Sequence, residues 1–224
     1  MLQQKTLDFL SGLALNNHRD WFESNRKEYE AAKRDVEGLV GQLLPRMAEF
    51  DGSLRGIEAK AAIFRIFKDV RFSKDKNPYK TNMGAWMAGG GKHTASAGYY
   101  LHIEPGEKSF LAGGSYMPPA NILKSIREAI DYDHEGLKEI LEDKNFVKLF
   151  GKLEGETVRT SPKGYGKNHP AIDLLRHKSL VASHKISDQE LTSDSFVEDA
   201  IMVFRGMLPL NEFLNRAISE AKRE

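Results

Sequence analysis

Residues 83–116 read "MGAWMAGGGKHTASAGYYLHIEPGEKSFLAGGSY", and the reading of this stretch decides the fold. Three short β-prone runs, "MGAWMA", "GYYLHIEP" and "SFLAGG", are separated by glycine-bearing gaps of the kind that connect hairpins. No helical segment lies between them, so they predict an antiparallel sheet rather than a doubly wound parallel one, which needs crossovers. Just upstream, Phe64, Ile66, Val70 and Phe72 alternate with Arg65, Asp69 and Arg71, which predicts a further extended segment over 63–72.

Outward from this centre the period changes to that of helices. On the N-terminal side, Leu7, Leu10 and Leu13 mark a short amphipathic helix ending near Asn16 and Asn17. Tyr29, Ala32, Val36, Leu39, Val40, Leu43 and Leu44 mark a longer one, with Asn25 and Glu28 spaced as a capping box and Pro45 at its end. On the C-terminal side, Ile122, Ile126 and Ile130 share a face. Two short helices follow, then a strand and a loop over "GETVRTSPKGYG" and a short helix in "HPAIDLLRHKSL" that leads into another extended segment. Ser187 and Glu190 then form a cap, and residues 196–222 make one or two final helices interrupted near Pro209. The expectation is an α+β fold, a central antiparallel sheet flanked by N-terminal and C-terminal helices, as one domain over residues 1–224.

Composition narrows the function classes. Apolar and charged fractions of 40% and 29% are those of a globular chain, and no run approaches the ~18 apolar residues of a membrane span. The chain has no cysteine, which removes disulfides and thiolate metal sites, and its first residues carry no basic leader. A cytoplasmic location without membrane association is expected. A formal net charge of +1 argues against a uniformly basic nucleic-acid binder, so any cationic site must be local.

That local site is "FRIFKDVRFSKDKNPYKTNMGAW", residues 64–86, where Arg65, Lys68, Arg71, Lys74, Lys76 and Lys80 face only Asp69 and Asp75. Arginine presents a planar fork that grips a carboxylate or phosphate through two parallel bonds, and lysine adds charge. Tyr79 could stack on a ring. The bland alternative is a set of exposed ion pairs contributing about 0–1 kcal/mol each.

"RIFKDVRFSKDKNPYK" resembles the signature of the family called domain of unknown function 2461. Arg65, Asp69, Arg71, Phe72, Asp75, Lys76 and Tyr79 match that signature position by position, and Lys68 stands where it usually has arginine. "LNNHRDWFESNRKEY", "GYYLHIEP", "GGSYMP" and "SPKGYGKNHPAIDLLRHKSL" resemble further blocks of the family, so the likeness covers nearly the whole chain. The resemblance implies the fold and the choice of site, and carries no reaction with it.

Alternation in "GYYLHIEP" sets Tyr100, His102 and Glu104 on one strand face, a grouping suited to acid–base chemistry or simply to cross-strand bonding. Lys163 and Tyr165 could extend the anion site from the loop "RTSPKGYGKNHP". "GGGK" at residues 89–92 lacks the spacing of a phosphate loop, and no histidine pair has metal-ligand spacing, so no metal is expected. Two readings stand. The first is a pocket for a phosphorylated or carboxylated small molecule, an enzyme if Asp69 or His102 acts as base, with Arg65, Lys68, Arg71, Asp75, Lys76, Tyr79 and Lys80 around the ligand. The second, less favoured, is a single-strand nucleic-acid platform, because Asp69 and Asp75 interrupt the charge.

Overall fold

The computed structural model describes residues 1–69, 71 and 76–220. Helices α1 (Gln4–Leu15), α2 (Arg19–Ser24), α3 (Arg26–Met47) and the single turn α4 (Ala59–Ala62) precede the sheet. Strands β1 (Met83–Met87), β2 (Gly98–Ile103) and β3 (Ser109–Ser115) come next. Helices α5 (Ala120–Tyr132), α6 (His134–Glu142), α7 (Lys144–Phe150) and α8 (Ile172–Leu175) lead to β4 (Leu180–Ile186), and α9 (Asp188–Leu191) and α10 (Phe196–Glu220) close the fold. The sheet order is β1-β2-β3-β4 with every neighbouring pair antiparallel; β1 to β3 follow one another directly, and β4 joins the β3 edge after four helices.

Two helix details differ from expectation. Asn25 forms no capping box; its side chain instead donates to the Trp21 carbonyl and ends α2. Pro209 does not interrupt α10, which is buried along its length through residues such as Phe204, Met207, Leu210 and Leu214. Packing of that apolar face outweighs the one backbone bond a proline removes. The box at Ser187 and Glu190 forms in full.

The two faces of the sheet have different fates. On one, Leu101 and Leu111 are fully buried, Tyr99 packs edge-on to Phe204 of α10, and Gly113 abuts Met207 so closely that a Cβ would lie 2.6 Å from its sulfur. His184 on the same face donates from Nδ1 to the Leu149 carbonyl at 2.8 Å, since a carbonyl oxygen can only accept. The opposite face carries Trp86, Tyr100, His102 and Phe110, each only partly buried.

The segment from Ile63 forms single bridges rather than the expected strand: Ile63 with Ala85, and Phe67 with Tyr79. Lys68 donates to the Pro78 carbonyl and Lys80 to that of Ile66, which closes a narrow hairpin. The predicted alternation fails because the backbone bends between the two bridges. Ile66 is buried, whereas Phe64 and Phe67 are 38% and 43% exposed. Val70 and Phe72 of that pattern lie outside the described residues. Asn17 anchors the hairpin by pairing with both the N–H and the carbonyl of Tyr79, as a neighbouring strand would.

Candidate functional site

Neither of the two depressions described below is lined by the sequence-predicted cations. Arg71 is bound by Asp69 through both its Nε (2.9 Å) and Nη2 (2.6 Å). That contact holds the Asp69 carboxyl below its ordinary range, so Asp69 is ill suited to act as a base. Asp69 and Arg71, neighbours on one face in the sequence reading, thus pair, and the arginines are not both left short of an internal counterion.

Tyr79 is also no ligand contact. It is 4% exposed and stacks on Phe22 at 4.0 Å and 12°. Lys68 is half-buried and Lys76 exposed, and both take part in interactions within the chain. Asp75 and Lys74 lie outside the described residues. Lys163 is exposed, and Tyr165 sits against His169 with Arg127, Glu128 and Asp131 of α5 as its charged neighbours, rather than the hairpin cations.

What does come together is Arg65 and Lys80 with the partly exposed face of the sheet. Phe64 donates its N–H to the Gly84 carbonyl on β1, which brings its ring edge-on to Tyr100 at 6.3 Å. Lys80 Nζ lies 5.5 Å and Lys92 Nζ 5.9 Å from the centre of the Phe64 ring. Lys92 is fixed there by donating to the Ile63 carbonyl at 2.8 Å. Among the described residues, neither Arg65 nor Lys80 is ion-paired to an acid, although the Arg65 charge reaches the Asp69 carboxylate that Arg71 holds. Burial, and then the Arg65 charge, pull the Lys80 ammonium below the usual lysine range.

Beside these cations runs a continuous hydrogen-bonded row on β2. Tyr100 Oη lies 3.0 Å from His102 Nδ1, and His102 Nε2 lies 3.1 Å from Glu104 Oε2. With Glu104 as a carboxylate, a neutral His102 carries its proton on Nε2 and accepts from the Tyr100 hydroxyl at Nδ1. Phe110 stacks on the imidazole at 4.5 Å and 15°, and Thr81 and Lys108 reach the other Glu104 oxygen at 3.5 Å. Burial, then the charges of Glu104 and Tyr116, push the Tyr100 phenol up to about 12. It is therefore a hydroxyl, and a donor, across the physiological range. Gly84 permits this placement: a Cβ there would lie 2.4 Å from Tyr100 Oη.

Sequence reasoning found Arg65, Lys80 and the Tyr100–His102–Glu104 row, and missed Phe64, Lys92 and Phe110 as neighbours of that row. Alternation in "SFLAGG" could have found Phe110, since it falls opposite His102 once β2 and β3 pair. Lys92 sits in a run that resembles a failed phosphate loop, and no local signal joins it to Ile63.

Comparison with known proteins fits this reading of the sequence blocks. Residues 5–213 match the family described as conserved hypothetical protein, domain of unknown function 2461. The chain belongs to that family. Within it, no curated protein or solved structure supplies a chemistry to transfer, because neither comparison yields a match. For this member of domain of unknown function 2461, the side chains themselves carry the functional argument.

Other features carry less. Depressions of about 340 and 360 Å³ lie between α1 and α3 and between α5 and the end of α10, and neither borders the hairpin. Gly113 and Gly114, considered as a place for a ligand to approach, are occupied by Met207 and the Leu180 carbonyl. Among the described residues no acid–histidine group has the makings of a metal site, and no helix is long and apolar enough to cross a membrane.

Proposed function

We propose that the partly exposed sheet face binds a phosphorylated or carboxylated small molecule and offers it acid–base chemistry. One observation supports this above the rest. A half-buried ammonium, Lys80, and a neighbouring guanidinium, Arg65, form no ion pair with an acid among the described residues and stand beside a ready-wired Tyr–His–Glu row; Asp69 senses the Arg65 charge but is itself bound to Arg71. A cation that has lost water and gained no counterion favours an anion that supplies one.

The row can accept a proton without leaving charge uncompensated. As Tyr100 hands its hydroxyl proton to His102 Nδ1, it can take another from the ligand, and Glu104 holds the resulting imidazolium. In this arrangement Arg65 and Lys80 bind, Tyr100 exchanges the proton, and His102 and Glu104 position and balance it. Arg71 and Asp69 shape the hairpin.

A second reading, a single-strand nucleic-acid platform, draws support from the exposed rings of Phe64 and Phe67. The two are separated by a thermal-shift screen with inorganic phosphate, sugar phosphates, dicarboxylates and an oligonucleotide at two salt concentrations. Small anions are expected to stabilise the protein, and Lys80→Met and Arg65→Met to abolish the shift while Arg71→Ala retains it. Because the Lys80 ammonium titrates early, the shift is expected to fade at a pH below that of exposed lysines. Stabilisation by the oligonucleotide alone, falling steeply with salt, would favour the platform instead. Equal shifts in all variants would remove the site.

A further inference from the structure

The ring arrangement around the site narrows its ligand further, on the footing of the anion-binding reading above. Phe64, Tyr100, Phe110 and His102 form an unbroken chain of ring contacts at 6.3, 5.8 and 4.5 Å, running from the hairpin across β2 to β3. None of the four is fully buried, and Phe64 is 38% exposed. Such a row on the sheet surface is unusual packing for a core, which would bury it, and unnecessary for a site that grips only a phosphate or sugar. Its two ends also differ in charge: Lys80 and Lys92 sit at the Phe64 end, and Glu104, with Lys108 3.5 Å from its Oε1, lies at the other.

We infer that the ligand is a planar aromatic ring bearing one anionic group, of the size of a mononucleotide, with the ring on the aromatic row and the anion toward Lys80 and Arg65. A ring face laid on aromatic side chains gains stacking energy that a sugar phosphate cannot. Glu104 at the far end offers acceptor oxygens, which suit a ring that presents an N–H or exocyclic amine there. A strand of several phosphates would meet this carboxylate, and the exposed Asp69, along its path.

The test measures affinities of the full chain for adenosine 5′-monophosphate, ribose 5-phosphate and adenosine by calorimetry. The monophosphate is expected to bind on the order of tenfold more tightly than ribose 5-phosphate, and adenosine more weakly than the monophosphate. Phe64→Leu, which keeps apolar bulk without a ring face, is expected to remove that preference by weakening the monophosphate more than ribose 5-phosphate; Lys80→Met is expected to weaken both phosphates. Equal affinity for the two phosphates would overturn the aromatic specificity and leave the anion site standing. No binding of any phosphate to the wild type would overturn both. A preference that survives Phe64→Leu at full strength would place the ring elsewhere and also overturn the inference.

Discussion

Two parts of the molecule hold the same three kinds of side chain, a tyrosine, a histidine and an acid, and wire them differently. In the loop before β4, Tyr165 packs against His169, whose Nε2 lies 2.7 Å from Asp131 while its Nδ1 accepts the N–H of Ala171. Both imidazole nitrogens are thereby committed, one to α5 and one to the backbone entering α8. On the sheet, His102 is instead held between a carboxylate and a hydroxyl that can rotate. A backbone N–H cannot change its role, whereas a hydroxyl can donate or accept. The difference teaches that residue inventory alone does not make a reactive centre. The partner's freedom to reverse its hydrogen bond does.

The sharpest way to break the sheet cluster is to remove the space it occupies. In Gly84→Ala, the new methyl would meet the Tyr100 ring at 2.4–3.0 Å, so the ring must swing and surrender its bond to His102. Overpacking of this kind costs about 1–3 kcal/mol. The expected outcome is a lowered melting temperature together with loss of the phosphate-induced shift. Retention of both would show that the ring's seat on Gly84 is not needed.

The loop cluster should respond in the opposite sense. His169→Ala removes the tie to Asp131 and strands the Ala171 N–H, a loss of about 1–3 kcal/mol. At about 2–4 °C per kcal/mol for a chain of this size, the melting temperature falls by several degrees. The phosphate-induced shift is expected to remain intact, since none of these groups borders Lys80. A His169 variant that melts normally but loses that shift would reverse the assignment of roles.

The same contrast explains how much of the molecule was legible in its sequence. Strands β1 to β3 were legible because alternation and glycine-bearing turns are local signals, and the helices because their apolar periodicity matches the faces they bury. Residues 63–72 misled because alternation presumes a continuous ladder, and among the described residues of that segment only Ile63 and Phe67 bridge. Tyr79 misled in another way. Its neighbours Asn77, Pro78 and Lys80 are those of a surface turn, and only the distant Phe22 and Asn17 make it part of the core. Arg71 looked available because two arginines were set against few acids, and which of them Asp69 takes depends on side-chain conformations that the sequence does not fix. What was not legible is, in each case, a contact between segments far apart in the chain, a bend that no local residue announces, or a side-chain conformation.

The contrast between the two histidines can be read in a single experiment: inorganic phosphate is titrated into the protein while the imidazole resonances of His102 and His169 are followed by NMR, each assigned through its alanine variant. The account predicts that the His102 signals move progressively with phosphate, that those of His169 stay fixed, and that Lys80→Met abolishes the movement. Signals of His102 that remain still at saturating phosphate, or that move in step with those of His169, would contradict it.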